Sequence, residues 1–110
     1  MGHNLDKNTK ALVKIIIKDQ SGRDKRKSNG RYTAFDTRAQ TAVEAAKDKI
    51  ELQGFSNNAR KHVIEKICQS LEDGTPWELL GETYCGRRLF YEYRKEFCFY
   101  VAEAMDMIDK

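Results

Sequence analysis

Six side chains capable of recognition chemistry crowd into nine positions, Arg87, Arg88, Tyr91, Glu92, Arg94 and Lys95. An arginine guanidinium is a rigid fork that matches a guanine edge or a phosphate. A lysine ammonium is a point charge for phosphate, and a glutamate accepts from the cytosine amino group. Such groups hold a polyanion and read it. They do not by themselves make or break bonds. A second basic run, Arg23, Lys25, Arg26 and Lys27, lies in the stretch QSGRDKRKSNGRYT, Gln20 to Thr33. Two glycines, two serines and five cations there read as a surface loop. The functional reading of the same stretch is a flexible arm that orders on phosphates.

Bond-making chemistry finds little support. There is no glycine-rich phosphate loop and no plausible carboxylate pair. Cys85, beside Arg87 and Arg88, is the nearest approach to a nucleophile, because neighbouring cations lower a thiol's pKa. No His or Asp stands near it in sequence, so a non-enzymatic protein without cofactors is expected. Cys68, Cys85 and Cys98 form no CxxC pair, and each has large apolar neighbours. Buried free thiols are the expected state. His62 has no His, Asp or Cys at metal-ligand spacing and reads as a boundary histidine, so no metal site is expected.

The positioning elements read as helices, and the fold class as all-α, a single domain of four to five helices ending in a helix-turn-helix. Asn8–Asp19 carries Leu12, Ile15, Ile16 and Asp19 at helical spacing, with Lys10, Lys14 and Lys18 on another side. The β-branched Ile15-Ile16-Ile17 equally suits a strand, so Ala11–Thr33 reads alternatively as a short β-hairpin. Thr37–Leu52 has a capping box at Thr37 and Gln40, and a face of Ala39, Val43, Ala46 and Ile50. Gly54 is placed to end it. The small alanines imply a neighbouring helix at close range. Asn58–Leu71 has Val63, Ile64, Ile67, Cys68 and Leu71 as its stripe and Gly74 as its stop.

From Thr75 the signals sharpen. Thr75-Pro76-Trp77-Glu78 combines a cap, a first-turn proline and a third-position glutamate, predicting a short helix from Pro76 to about Tyr84. Trp77, Leu80 and Tyr84 are its expected inward side chains. Cys85-Gly86 breaks it and Arg87 starts the last helix. There Phe90, Tyr93, Phe97, Val101, Ala104 and Ile108 form the stripe. At about 100° per residue, Arg88, Tyr91, Glu92 and Lys95 point away from that stripe, with Arg87 and Arg94 flanking it. A short helix, a tight turn and a basic-faced helix suit insertion into a DNA groove, the first turn meeting the bases.

Composition sets the frame. The chain has 110 residues, 40% hydrophobic and 34% charged, with one proline. That is the profile of one folded domain. No apolar run approaches the length of a membrane span, and MGHNLDKNTK lacks the apolar stretch of a signal peptide. No membrane association and a cytoplasmic location are the expectations. The net charge of +3 conceals an uneven distribution. Residues 1–38 carry ten Lys/Arg against four Asp/Glu, and the remainder ten against thirteen. A locally basic front attracts polyanions more than the net charge suggests.

The stretch LEDGTPWELLGETYCGRRLFYEYRKEF resembles region 4 of bacterial sigma factors. It also looks like phage transcriptional regulators of the ArpU/RinA type, in the run Cys85-Gly86-Arg87-Arg88-Leu89-Phe90-Tyr91-Glu92-Tyr93-Arg94. The resemblance covers roughly residues 59–105. It implies a regulator of phage or mobile-element origin bound to double-stranded DNA, with Arg87, Arg88 and Glu92 on bases or phosphates and Phe90 and Tyr93 in the core. RNA polymerase is a further partner class it suggests. The sequence departs from the pattern at Gly86, where a Ser or Thr cap is usual, and at Tyr84, often a small residue. Phe99, opposite the core stripe, suggests a homodimer contact along Phe99, Ala102 and Asp106. A helical protein-interaction module, using the basic loop or Phe99, is the alternative function.

Overall fold

In the computed structural model, which describes residues 4–108, the described chain folds into five α-helices and one 3-10 turn, with no strand among them. The helices are α1 (Lys7–Lys18), α2 (Gln20–Ser28), α3 (Ala34–Lys49), α4 (Asn57–Asp73) and α5 (Arg87–Ala104). A single 3-10 turn, Trp77–Leu79, lies between α4 and α5. The all-α expectation holds, and the hairpin alternative for Ala11–Thr33 does not.

Asp6 starts α1 by accepting the Thr9 N–H at 2.8 Å. The helix is rotated relative to its expected apolar face. Val13, Ile16 and Ile17 are buried, whereas Leu12 and Ile15 are 53% and 62% exposed. With an isoleucine triplet and a leucine in one helix, sequence periodicity offers two apolar faces, and packing selects one.

The stretch Gln20 to Thr33 is not a flexible loop. Gln20–Ser28 forms α2, because it is rich in Lys, Arg and Gln, which propagate helix well, and contains no proline or β-branched residue. Two of its four cations, Arg23 and Arg26, are internally employed. Arg23 is 2% exposed and donates to Ile16 O at 2.5 Å, Gln20 Oε1 at 2.9 Å and Gln40 Oε1 at 3.1 Å. Arg26 pairs with Asp19 at 2.6 Å and Asp36 at 2.7 Å. A Cβ on Gly22 would lie 2.2 Å from the Asp19 carboxylate, so glycine at this position lets Asp19 reach back over α2.

Asp36 also closes the capping box that starts α3, with Thr33 rather than Thr37 as the cap. The Arg26 guanidinium, then the Thr33 backbone N–H, hold the Asp36 carboxyl well below the usual carboxylate range. A depressed carboxyl stabilises the fold above its unfolded-state pKa, near 3.8. That contribution disappears as pH falls through the folded-state value. Thermal melting at stepped pH is therefore expected to show a loss of stability starting as pH drops towards 4. Asp36→Asn flattens that step, and an unchanged acid profile in the variant contradicts the assignment.

The core is built on α3 against α5, with α1 crossing α4 and α5. Ala39, Ala42, Val43 and Ala46 of α3 are buried, as are Phe90, Phe97, Val101 and Ala102 of α5. The alanines permit the close approach anticipated from their spacing. The end of α3 is fixed by Arg60, which donates to Lys47 O at 2.6 Å and Ile50 O at 3.1 Å. Gly54 is left-handed, but it lies beyond the cap at Ile50. In α4, capped by Ser56, Val63, Ile64, Ile67 and Leu71 are buried and Gly74 takes the left-handed stop at φ +70°.

The short helix expected over Pro76–Tyr84 contracts to the turn Trp77–Leu79. Thr75 does not cap it; Pro76 occupies that position, and the Thr75 carbonyl accepts from Ser70 Oγ at 2.9 Å. Gly81 at φ +79° and Tyr84 at φ +60° take left-handed conformations that a continuing helix excludes. Leu80 is buried as anticipated, but Tyr84 is 53% exposed. The irregular segment is held by its own bonds. Trp77 Nε1 donates to Thr83 Oγ1 at 3.0 Å, and that hydroxyl donates to Cys85 O at 2.7 Å. The last helix does start at Arg87, with Gly86 at the N-cap. Of its expected stripe, Phe90, Phe97 and Val101 are buried, Tyr93 and Ile108 are half-buried, and Ala104 is exposed.

Candidate functional site

Gly86 supplies no side-chain acceptor, so the first turn of α5 opens on solvent without a side-chain cap. Unpaired N–H groups at a helix start carry partial positive charge and favour anions. Arg87 and Arg88 stand at this end, both exposed. Arg87 Nε lies 3.2 Å from Glu78 Oε2, an exposed pair that costs little to open. Arg88 points away from the core on the same line as Glu92, which is exposed, and Lys95, which is half-buried.

Tyr91 is not on that outward line. It is half-buried, and its hydroxyl accepts the Trp77 N–H at 3.2 Å. The Arg87 and Arg94 guanidinium groups lie over its ring, 5.3 Å and 4.7 Å from the centroid. Arg94 also donates to Ser70 Oγ at 3.0 Å. Tyr91 thus ties the 3-10 turn to α5 and arranges two cations, while Arg94 anchors α5 to α4. Both are positioning residues.

A groove of about 250 Å³ runs between α1 and α5, lined by Lys10, Lys14, Tyr91, Glu92, Arg94 and Lys95 together with Leu5 and Cys98. Lys10 and Lys14 are one turn apart on α1, on the flank opposite Leu12 and Ile15. They bring two further cations beside the outward line of α5. The sequence contained this signal in the lysine spacing of α1, but only the crossing of α1 over α5 joins the two rows.

The other basic run contributes less than expected. Arg23 is buried and Arg26, partly exposed, is held by Asp19 and Asp36, so neither is a free phosphate contact; Lys25 and Lys27 remain exposed on α2. The Phe99, Ala102 and Asp106 surface fails as a contact face, because Ala102 is fully buried in the core.

Burial pushes the Cys68 and Cys98 thiols up to about 11, and burial also raises Cys85 against the lowering hydrogen bond with Thr83. His62 Nε2 is 2.6 Å from Glu82 O, and its ring packs on Tyr84. Among the described residues no three His, Cys, Asp or Glu side chains gather as metal ligands. No helix among them is long and apolar enough to cross a membrane. No protein-family model matches the chain, and comparison with curated proteins and with solved structures finds no match.

Proposed function

We propose that the protein binds double-stranded DNA, with the first two turns of α5 entering a groove and the α1 lysines gripping the adjacent phosphates. One observation carries this reading. Lys10 and Lys14 of α1 share a groove with Arg94 and Lys95 of α5, next to an uncapped helix start bearing Arg87 and Arg88. Glu92 lines the same groove and Glu78 pairs with Arg87, so the cations outnumber these carboxylates. Charge of one sign along a groove concentrates a polyanion and steers its approach. Arg88, Glu92 and Lys95 are the side chains free to reach base edges, and Lys10 and Lys14 supply sequence-independent affinity.

The resemblance of residues 59–105 to sigma region 4 and to phage regulators supports transcriptional control as the role, with RNA polymerase as a further partner. The segment before α5 contracts to the turn Trp77–Leu79, so the reading rests on α5 and its neighbours and not on a complete helix-turn-helix. A protein-interaction module is the second reading. It rests on the exposed Leu12, Ile15 and Phe35.

Fluorescence anisotropy with a labelled duplex at low salt tests the first reading. Arg88→Ala is expected to weaken binding by about 1–3 kcal/mol, the scale of one base-reading arginine. Lys95→Ala weakens it less. Both leave the circular dichroism spectrum and melting temperature unchanged, since neither side chain is in the core. Equal affinity in the parent and both variants contradicts the proposal.

A further inference from the structure

In sequence, Thr75-Pro76-Trp77-Glu78 is a helix start in which Glu78 is the third-position acid that accepts the cap's N–H. The structure gives Glu78 no such task. Pro76, which has no N–H, takes the cap position, and the element it opens is only the three-residue turn Trp77–Leu79. The Glu78 carboxylate crosses instead to the next helix, where its Oε2 lies 3.2 Å from Arg87 Nε. The turn is tied to α5 from behind. Trp77 N donates to the Tyr91 hydroxyl at 3.2 Å, and Trp77 Nε1 reaches Cys85 O through the Thr83 hydroxyl. The Arg87 guanidinium also lies over the Tyr91 ring, 5.3 Å from its centroid. Tyr91 thus holds the turn that carries the acid and the cation that the acid meets. The first turn of α5 has no acid of its own.

We infer that Glu78 is an internal competitor for phosphate that withholds Arg87 from nucleic acid. This role rests on the DNA-binding reading and names the regulation of that same site. A carboxylate and a phosphate offer an arginine fork the same kind of acceptor, so one takes the place of the other. The two side chains remain 64% and 56% exposed, and an ion pair so open to water is weak. A phosphate held in register displaces the carboxylate, whereas one met in passing along arbitrary sequence does not. Withholding one cation therefore lowers binding at wrong sites more than at the right one. Arg88, the next residue, is the contrast. Among the described residues no ion pair holds it, so it meets any duplex directly.

Fluorescence anisotropy with a labelled random duplex, repeated as salt rises, tests the inference. Glu78→Gln is expected to tighten binding at low salt about two- to fivefold, the strength of one exposed ion pair. It also steepens the slope of log affinity against log salt by about 0.9, the mark of one further phosphate contact. Adding Arg87→Ala to Glu78→Gln removes both gains. Glu65→Gln on α4, at an exposed position, changes neither affinity nor slope. A gain that persists without Arg87, or that Glu65→Gln reproduces, is the loss of a negative charge in general and overturns the inference. So does a Glu78→Gln variant with the parent's affinity and slope, an outcome that leaves the DNA-binding reading standing. A parent that binds no duplex at low salt overturns that reading, and the role of Glu78 with it.

Discussion

Phe90→Ala is expected to lower the unfolding free energy by about 3–5 kcal/mol, read from a urea denaturation curve. The ring is fully buried, one turn into α5, and belongs to the same core as Val13, Val63 and Phe97. Removing it empties a space that α3 and α5 cannot close, because α3 already approaches α5 through alanines. Domains of this size hold only about 5–15 kcal/mol in total, so the loss is a large fraction of the whole. Phe90 also lies beneath the turn that carries Arg87 and Arg88, and the variant should lose ligand affinity in proportion to the unfolded fraction. Unchanged stability in Phe90→Ala would remove the ring from the core and turn the outward face of α5 with it.

Arg23→Ala is the second large effect, and it separates two roles for the basic run. As a phosphate-contacting arm, Arg23 would be dispensable for folding. In the structure it is the central donor of a buried junction, satisfying Ile16 O and the Gln20 and Gln40 side chains. Truncation leaves these acceptors facing a cavity, at about 1–3 kcal/mol for each group left without a partner. A loss of about 3 kcal/mol or more is expected, seen as a lower urea midpoint. Lys25→Ala and Lys27→Ala, both exposed, stay within about 0.5 kcal/mol of the parent. Equal stabilities across all three variants would contradict the junction and restore the arm.

These two residues mark what a sequence can and cannot disclose here. Phe90 was legible because its periodicity with Phe97 and Val101 is unambiguous, and the same holds for Ala39, Val43 and Ala46, or for Val63 and Ile67. A 3.6-residue repeat of large apolar groups leaves one solution. Arg23 was not legible, because composition treats an arginine among Asp, Lys and Gly as solvated, and only the neighbouring helix turns it inward. Leu12 and Ile15 failed for a related reason, since α1 has more apolar residues than its core contact can cover. The helix start at Arg87 followed from Gly86, while the shortened turn at Trp77–Leu79 did not, because local cap signals were outweighed by Gly81 and the left-handed Tyr84. In the candidate site, the outward line of Arg88, Glu92 and Lys95 was readable from one helix. Lys10 and Lys14 needed the tertiary crossing.

That crossing is the centre of the account, and the salt dependence of duplex binding tests it most directly. Each phosphate neutralised contributes a slope of about −0.9 in log affinity against log salt. With Arg87 and Arg94 partly engaged within the protein, the four remaining cations Lys10, Lys14, Arg88 and Lys95 predict a slope of about −4. Lys10→Ala with Lys14→Ala should reduce its magnitude by about 2 while the fold is unchanged. An absence of binding to random duplex at low salt, or a slope untouched by removal of both lysines, would contradict the assignment of the α1–α5 groove to nucleic acid.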